Sequence, residues 1–181
     1  LAMMVENKII FTGPVGVGKT TAIAALSDEP PVQTDASASD MTAVRKGYTT
    51  VAMDYGLIQL DEHTKVHLYG TPGQERFDFM WEILSKGSMG LVLLLDNTRV
   101  NPLKDLKFFL DSFSDLLKTA PLVVGVTKMD IRSVPGIDVY QKYLIQHGLN
   151  VPVFEVDARN EDDVKQLVTA MLFQIDPGLE V

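Results

Sequence analysis

Residues 13 to 20, GPVGVGKT, constrain this chain more than any other stretch. The pattern G-x-x-x-x-G-K-[ST] makes a phosphate-binding loop when it joins a strand to a helix. Here the apolar run KIIFT (8 to 12) precedes it and the helix-forming TTAIAALS follows. In that setting the backbone amides of 15 to 20 face a phosphate from the start of a helix, Lys19 reaches the β and γ oxygens, and Thr20 offers its hydroxyl to magnesium. Gly13, Val15, Gly16, Val17, Gly18, Lys19, Thr20 and Thr21 are therefore the candidate nucleotide contacts of this loop. An ordinary glycine-rich turn has no need of Lys19 and Thr20 in this register.

The rest of the chain continues the alternation. Residues 28 to 46 are rich in Pro, Ser, Thr, Asp and Ala without periodicity and read as a long loop. Two candidate strands, 51 to 59 and 65 to 69, are joined by a polar turn and are expected to pair as a hairpin. The runs GLVLLLD (90 to 96) and PLVVGVT (121 to 127) are continuously apolar, as strands covered on both faces of a parallel sheet are. Between them Asn101 as N-cap and Pro102 open a helix with Leu103, Leu106, Leu110, Phe113 and Leu117 inward. A run at 151 to 156 precedes Asn160, a second N-cap, and a final helix with Val164, Leu167, Val168, Met171, Leu172 and Ile175 on one stripe. The expected fold is a doubly wound α/β sheet, mostly parallel with one antiparallel hairpin edge strand. Its ligand belongs beyond the carboxyl ends of the strands.

At 181 residues the chain suits one compact domain with one active site, and residues 1 to 4 are expected to be an added, disordered start. A net charge of −8 argues against nucleic acid and against anionic membranes, since no basic cluster could neutralise a run of phosphates. With no cysteine there are no disulfides, thiolate metal sites or lipidated thiols, and no apolar run approaches a membrane span or a signal peptide. A soluble cytoplasmic protein without a membrane anchor is expected. His63, His67 and His147 lack metal-ligand spacing and are read as structural or surface residues.

A second motif, TKMD at 127 to 130, follows the run at 121 to 127 and resembles the guanine-reading N/T-K-x-D element of GTPases. Asp130 can accept from the N1 and exocyclic N2 hydrogens of guanine, a pair adenine does not offer, while the stem of Lys128 covers the ring. Asp157, Ala158 and Arg159 stand where the S-A-K element of those proteins meets the base, or form a plain strand-end loop. With TTVAMD (49 to 54) and GTPGQERF (70 to 77), these motifs have the order and spacing of the Ras-like small GTPases over almost the whole chain. The nearest resemblance is to the bacterial conservon-type small GTPases, with the gliding-motility polarity GTPases more distant. The resemblance implies GTP and GDP as ligands with Mg2+ as cofactor, Thr127, Lys128 and Asp130 on the base, and Thr20 and Thr50 on the metal. It also implies Gly73 as γ-phosphate sensor and Gln74 as the residue that orients the attacking water, with Lys19 assisting catalysis.

Three positions depart from that pattern. Gly70 stands where the family usually has an Asp that holds a magnesium water, which predicts metal affinity weaker by about 10- to 100-fold. Asp54 and Asp96 are possible substitutes, read first as hairpin and strand-end residues. Val15 replaces a common Gly and crowds the space of Gln74, predicting slow hydrolysis. Thr49 stands where polarity GTPases can carry an arginine acting in cis, and the nearest cation, Arg45, reads as a loop charge.

After the sensor, Phe77, Met80, Trp81 and Leu84 form one helical stripe, while Phe79 and Ile83 fall on nearly the opposite face, roughly 200° and 240° around at about 100° per residue. That second face is assigned to a regulatory protein, by resemblance a roadblock or longin-type dimer. Three functions stay open at this stage: a slow, partner-stimulated GTP switch, a GTP/GDP-binding scaffold with negligible turnover, and a P-loop small-molecule kinase.

Overall fold

The computed structural model describes residues 7–28, 32–33, 54–59, 62–71, 81 and 85–178. The expectations for Arg45, Thr49, Thr50, Gly73, Gln74, Phe77, Phe79, Met80, Ile83 and Leu84 lie outside the described residues. Seven strands form one sheet in the order β2-β3-β4-β1-β5-β6-β7. They are β1 (Asn7–Thr12), β2 (Val32–Gln33), β3 (Asp54–Gln59), β4 (Lys65–Gly70), β5 (Gly90–Asp96), β6 (Leu122–Thr127) and β7 (Val153–Glu155). The helices are α1 (Lys19–Leu26), α2 (Pro102–Ser112), α3 (Ser114–Leu117), α4 (Ile137–Gln146) and α5 (Glu161–Ile175).

Strands β4, β1, β5, β6 and β7 run parallel, and β3 is antiparallel to both β4 and β2. This is the doubly wound, mostly parallel P-loop fold that the alternating motifs predict. Side chains alternate between two apolar layers, as the twofold period of a strand requires. Ile10, Leu91, Leu93 and Leu95 meet Leu106, Phe109 and Tyr140 on one face, and Ile9, Phe11, Val92 and Leu94 meet Ala22, Ile23, Leu167 and Met171 on the other. Every residue of β5 is buried, which is why its sequence shows no polar alternation. Trp81 belongs to the first layer, stacked on Phe109 and Phe113 with ring centroids 5.4 Å away in each case.

Several details differ from the sequence reading. The segment read as loop from 28 to 46 contributes β2, which adds a two-residue ladder outside β3, so the antiparallel strand is second from the edge. The strand expected at 151 to 156 shortens to Val153–Glu155, because Pro152 has no N–H and joins the ladder only through its carbonyl, which accepts from the Val124 amide at 3.0 Å. The inward stripe of α5 ends before Ile175, which is 42% exposed; Gln174 turns to the sheet instead and donates to the Leu122 carbonyl at 3.3 Å. Helix α4 has little signature in the sequence, since Gly136 at its N-cap offers no side-chain oxygen and only Tyr140 and Leu144 are buried.

Two features of the topology place the site. The carboxyl ends of β1, β5, β6 and β7 all open on one edge of the sheet, carrying GPVGVGKT, Asp96, TKMD and DAR with them. Strand β3 runs the other way, so its first residue rather than its last reaches that edge, and Asp54 pairs with Gly70 at the end of β4.

Candidate functional site

The phosphate-binding loop leaves β1 and turns into α1 through three glycines with positive φ: Gly13 (152°), Gly16 (78°) and Gly18 (112°). Gly18 is the N-cap of α1. A side chain is excluded there twice over, by the left-handed backbone and by Ala158, whose Cβ would lie 2.8 Å from an added Cβ. The DAR loop is thus pressed against the phosphate loop. Val17 is buried beneath the turn and Val15 is 58% exposed on its outside.

Lys19 is buried, and its Nζ donates to the carbonyls of Gly13 (2.6 Å) and Pro14 (3.0 Å). Burial pushes this ammonium down to about 8, against the opposing influence of the Asp54 carboxylate. Thr20 donates its hydroxyl to Asp54 Oδ2 at 2.7 Å. Asp54 is itself only 3% exposed, and burial raises its carboxyl although Thr20 and Lys19 act the other way. Asp54 is therefore not merely a hairpin residue; the antiparallel register brings it against the phosphate loop. Thr12 and Thr71, both buried, share a hydrogen bond of 2.8 Å that ties the end of β1 to the residue after Gly70.

At the other end, Lys128 has φ 63°, the one non-glycine residue with positive φ among those described. Backbone strain of this kind persists where neighbours hold it, and it clusters at ligand sites. Lys128 Nζ donates to the Gly16 carbonyl (3.1 Å) and to Asp96 Oδ2 (2.8 Å). Asp96 in turn accepts from the amide and hydroxyl of Thr98, at 2.9 and 2.5 Å. Burial alone raises the Asp96 carboxyl, but the Lys128 and Thr98 donors outweigh it and hold it below its usual range. Asp96 thus fixes Lys128. Thr127 is buried and donates to the Leu95 carbonyl at 3.1 Å.

Asp130 is exposed and has no hydrogen-bonding partner among the described residues. Asp157 accepts from the Arg159 Nε (3.0 Å), NH2 (2.9 Å) and backbone amide (2.9 Å), and these bonds hold its carboxyl down to about 2. Together with Gly16, Thr21, Lys128 and Ala158 these residues line a cleft of about 700 Å3, in the size range of small-molecule sites.

Sequence reasoning missed Asn97 and Tyr140. Asn97 is fully buried and donates its amide to the carbonyls of Arg132 (2.6 Å) and Pro135 (3.0 Å), while its Oδ1 accepts from the Tyr140 hydroxyl at 2.5 Å. This network pins the loop that follows TKMD. The available signal was the polar Asn immediately after a buried strand, where an apolar or turn residue is otherwise expected. His67 and His147 bond Tyr55 and the Tyr143 carbonyl, each at 2.7 Å, as structural residues do.

The structure therefore brings Gly13, Val15, Gly16, Val17, Gly18, Lys19, Thr20, Thr21, Thr127, Lys128, Asp130, Asp157, Ala158 and Arg159 to one edge of the sheet. Among the described residues no helix is long and apolar enough to cross a membrane.

Comparison with known proteins bears on the family. An uncharacterized protein of Methanocaldococcus jannaschii is 31% identical over 137 residues, which cover 75% of this chain and 78% of that protein. The Ras-related protein Rab-7b of Homo sapiens is 29% identical over 171 residues, covering 90% of this chain and 78% of that protein. These likenesses support a place in the P-loop superfamily that includes the Ras-like GTPases, with nucleotide binding as its chemistry. Residues 11–175 match the family described as conserved hypothetical ATP binding protein, and the chain belongs to that family.

Proposed function

We propose that this member of the family is a guanine-nucleotide switch that hydrolyses GTP slowly to GDP and phosphate. The observation that carries the reading is the base end of the cleft. Lys128 is strained into position between the Gly16 carbonyl and Asp96, and the exposed Asp130 carboxylate beside it accepts no hydrogen bond from the described residues. An acceptor held in that way matches the two donors of guanine, and adenine would leave it unpaired. The family description names ATP, which favours a second reading with adenine in the cleft.

The amides of residues 15 to 20 bind the phosphates, and Lys19 leaves the Gly13 and Pro14 carbonyls to meet their charge. The Thr20 hydroxyl would be a hard donor to Mg2+ beside the phosphates, and Thr50 would join it when GTP is bound. Bound there, Mg2+ would supply charge neutralisation for the phosphates. Hydrolysis is attack of a water oxygen on the γ-phosphorus with cleavage of its bond to the β–γ bridging oxygen. Gln74 orients that water and Gly73 senses the γ-phosphate, while Val15 stands exposed beside the reacting phosphate and slows the step. Residues 28 to 50 and 70 to 86 are the switch segments of this one G domain. Phe79 and Ile83 face a roadblock or longin-type regulator, in the manner of the bacterial conservon-type GTPases, in the cytoplasm.

The test is turnover of GTP and ATP by the purified protein, compared with Val15→Gly and Gln74→Leu. GTP turnover within about 10⁻⁴ to 10⁻² s⁻¹ is expected, faster in Val15→Gly and slower in Gln74→Leu. Equal use of ATP, or indifference to both substitutions, overturns the reading.

A further inference from the structure

Gly70 leaves an apparent gap in the metal site, and the structure shows what fills the space. Gly70 and Asp54 are direct cross-strand partners at the ends of β4 and β3. A Cβ built on Gly70 would lie 3.2 Å from both Cβ and Oδ2 of Asp54, so a side chain on β4 would enter the volume that the Asp54 side chain already occupies. From there Asp54 Oδ2 accepts the hydroxyl proton of Thr20 at 2.7 Å. No positive φ is found at Gly70, so its backbone does not itself demand glycine.

We infer that Asp54 is the carboxylate of the magnesium site, supplied from the neighbouring antiparallel strand in place of a residue at Gly70. The inference rests on the proposed nucleotide reading and deepens it. Glycine at 70 is then a requirement of the arrangement: it makes room for a carboxylate that arrives from across the ladder. The reversed direction of β3 is what makes this possible, because Asp54 is its first residue and so stands at the edge where β1 and β4 end. Oxygen donors from Thr20 and one carboxylate, completed by phosphate and water, are the set magnesium accepts.

A weakening of metal binding is not expected on this account, and neither is rescue by adding a carboxylate at 70. Gly70→Asp in the presence of Asp54 places two carboxylates in one volume and crowds the Ile23 Cδ1 atom, which lies 3.0 Å from the added Cβ. The two aspartates should instead be exchangeable.

The experiment follows release of a fluorescently labelled GDP while free Mg2+ is varied. In the native protein Mg2+ slows release. Asp54→Asn, which keeps an acceptor for Thr20 but loses the charge, should raise the Mg2+ concentration needed for half of that slowing by about 10- to 100-fold. Gly70→Asp alone should raise it too, and Asp54→Gly combined with Gly70→Asp should bring it back toward native. The exchange variant also decides the matter if Asp54→Asn does not fold. An unchanged midpoint in Asp54→Asn shows that Asp54 only anchors Thr20 and overturns the inference. So does a lowered midpoint in Gly70→Asp alone. Native GDP binding that ignores Mg2+ overturns it while leaving the nucleotide reading standing; no GDP binding under any condition overturns both.

Discussion

At the base end of the cleft Asp96 and Asp157 have cationic partners within the chain, whereas at the phosphate end burial sets the balance. Asp96 is held ionised by Lys128 and Thr98, and Asp157 by Arg159. Lys19 and Asp54, by contrast, are pushed toward their neutral forms by burial, Lys19 to about 8. With Asp96 and Asp157 paired, Asp130 is the base-end acceptor left to select a ligand by hydrogen bonds. A site whose charges are strained toward neutrality gains most when the ligand brings charge of its own, which on the proposed reading is phosphate and metal. The two ends therefore divide selectivity from affinity.

The division is broken most severely by removing the acceptor at the base end. Asp130→Asn should abolish the preference for guanine over adenine nucleotides, on the order of 10⁴-fold, and favour xanthine nucleotides, whose carbonyl suits the new amide. Mg2+ dependence should stay as in the native protein. Calorimetric titration with GDP, ADP and the xanthine diphosphate measures each term, and retained GDP preference removes Asp130 from the base site.

A smaller effect is expected one layer below. Asn97→Ala leaves the Tyr140 hydroxyl and the Arg132 and Pro135 carbonyls without their partner. A loss of about 1 to 3 kcal/mol is expected for each such group that remains buried and unsatisfied, read by urea denaturation. Because the loop after TKMD is released, GDP should weaken more than free phosphate does. Equal weakening of both would blur the separation of the two ends.

The smallest effect concerns protons. Lys19 must be charged to meet the phosphates, and in the free protein it loses its proton as pH rises through about 8. GDP affinity should therefore be flat below pH 7 and fall above 8, by at most about tenfold per pH unit, the limit set by one proton. The ratio of GDP to ADP affinity should not follow. Titrations at pH 7, 8 and 9 check both statements.

What could be read from the chain before folding follows the same division. GPVGVGKT and TKMD are local: their residues act within a few positions of one another, so spacing alone carries the chemistry. Asp54 acts on Thr20, 34 residues away, through an antiparallel register that a sequence does not display. Asn97 and Tyr140 are 43 residues apart, and their bond depends on α4, whose glycine N-cap and sparse apolar stripe hid it. Strand β2 was hidden because two residues in a stretch rich in Pro, Ser and Thr carry no period. Buried runs such as β5 were legible, because a strand covered on both faces has only one kind of residue to show.

The separation of selectivity from affinity is tested most directly by titrating the native protein with GDP and with ADP, each in excess Mg2+ and in chelator. The account predicts that removing Mg2+ weakens both nucleotides by the same factor, so that the preference for GDP is unchanged. A preference for GDP that collapses with the metal, or affinities that ignore it, would contradict the account.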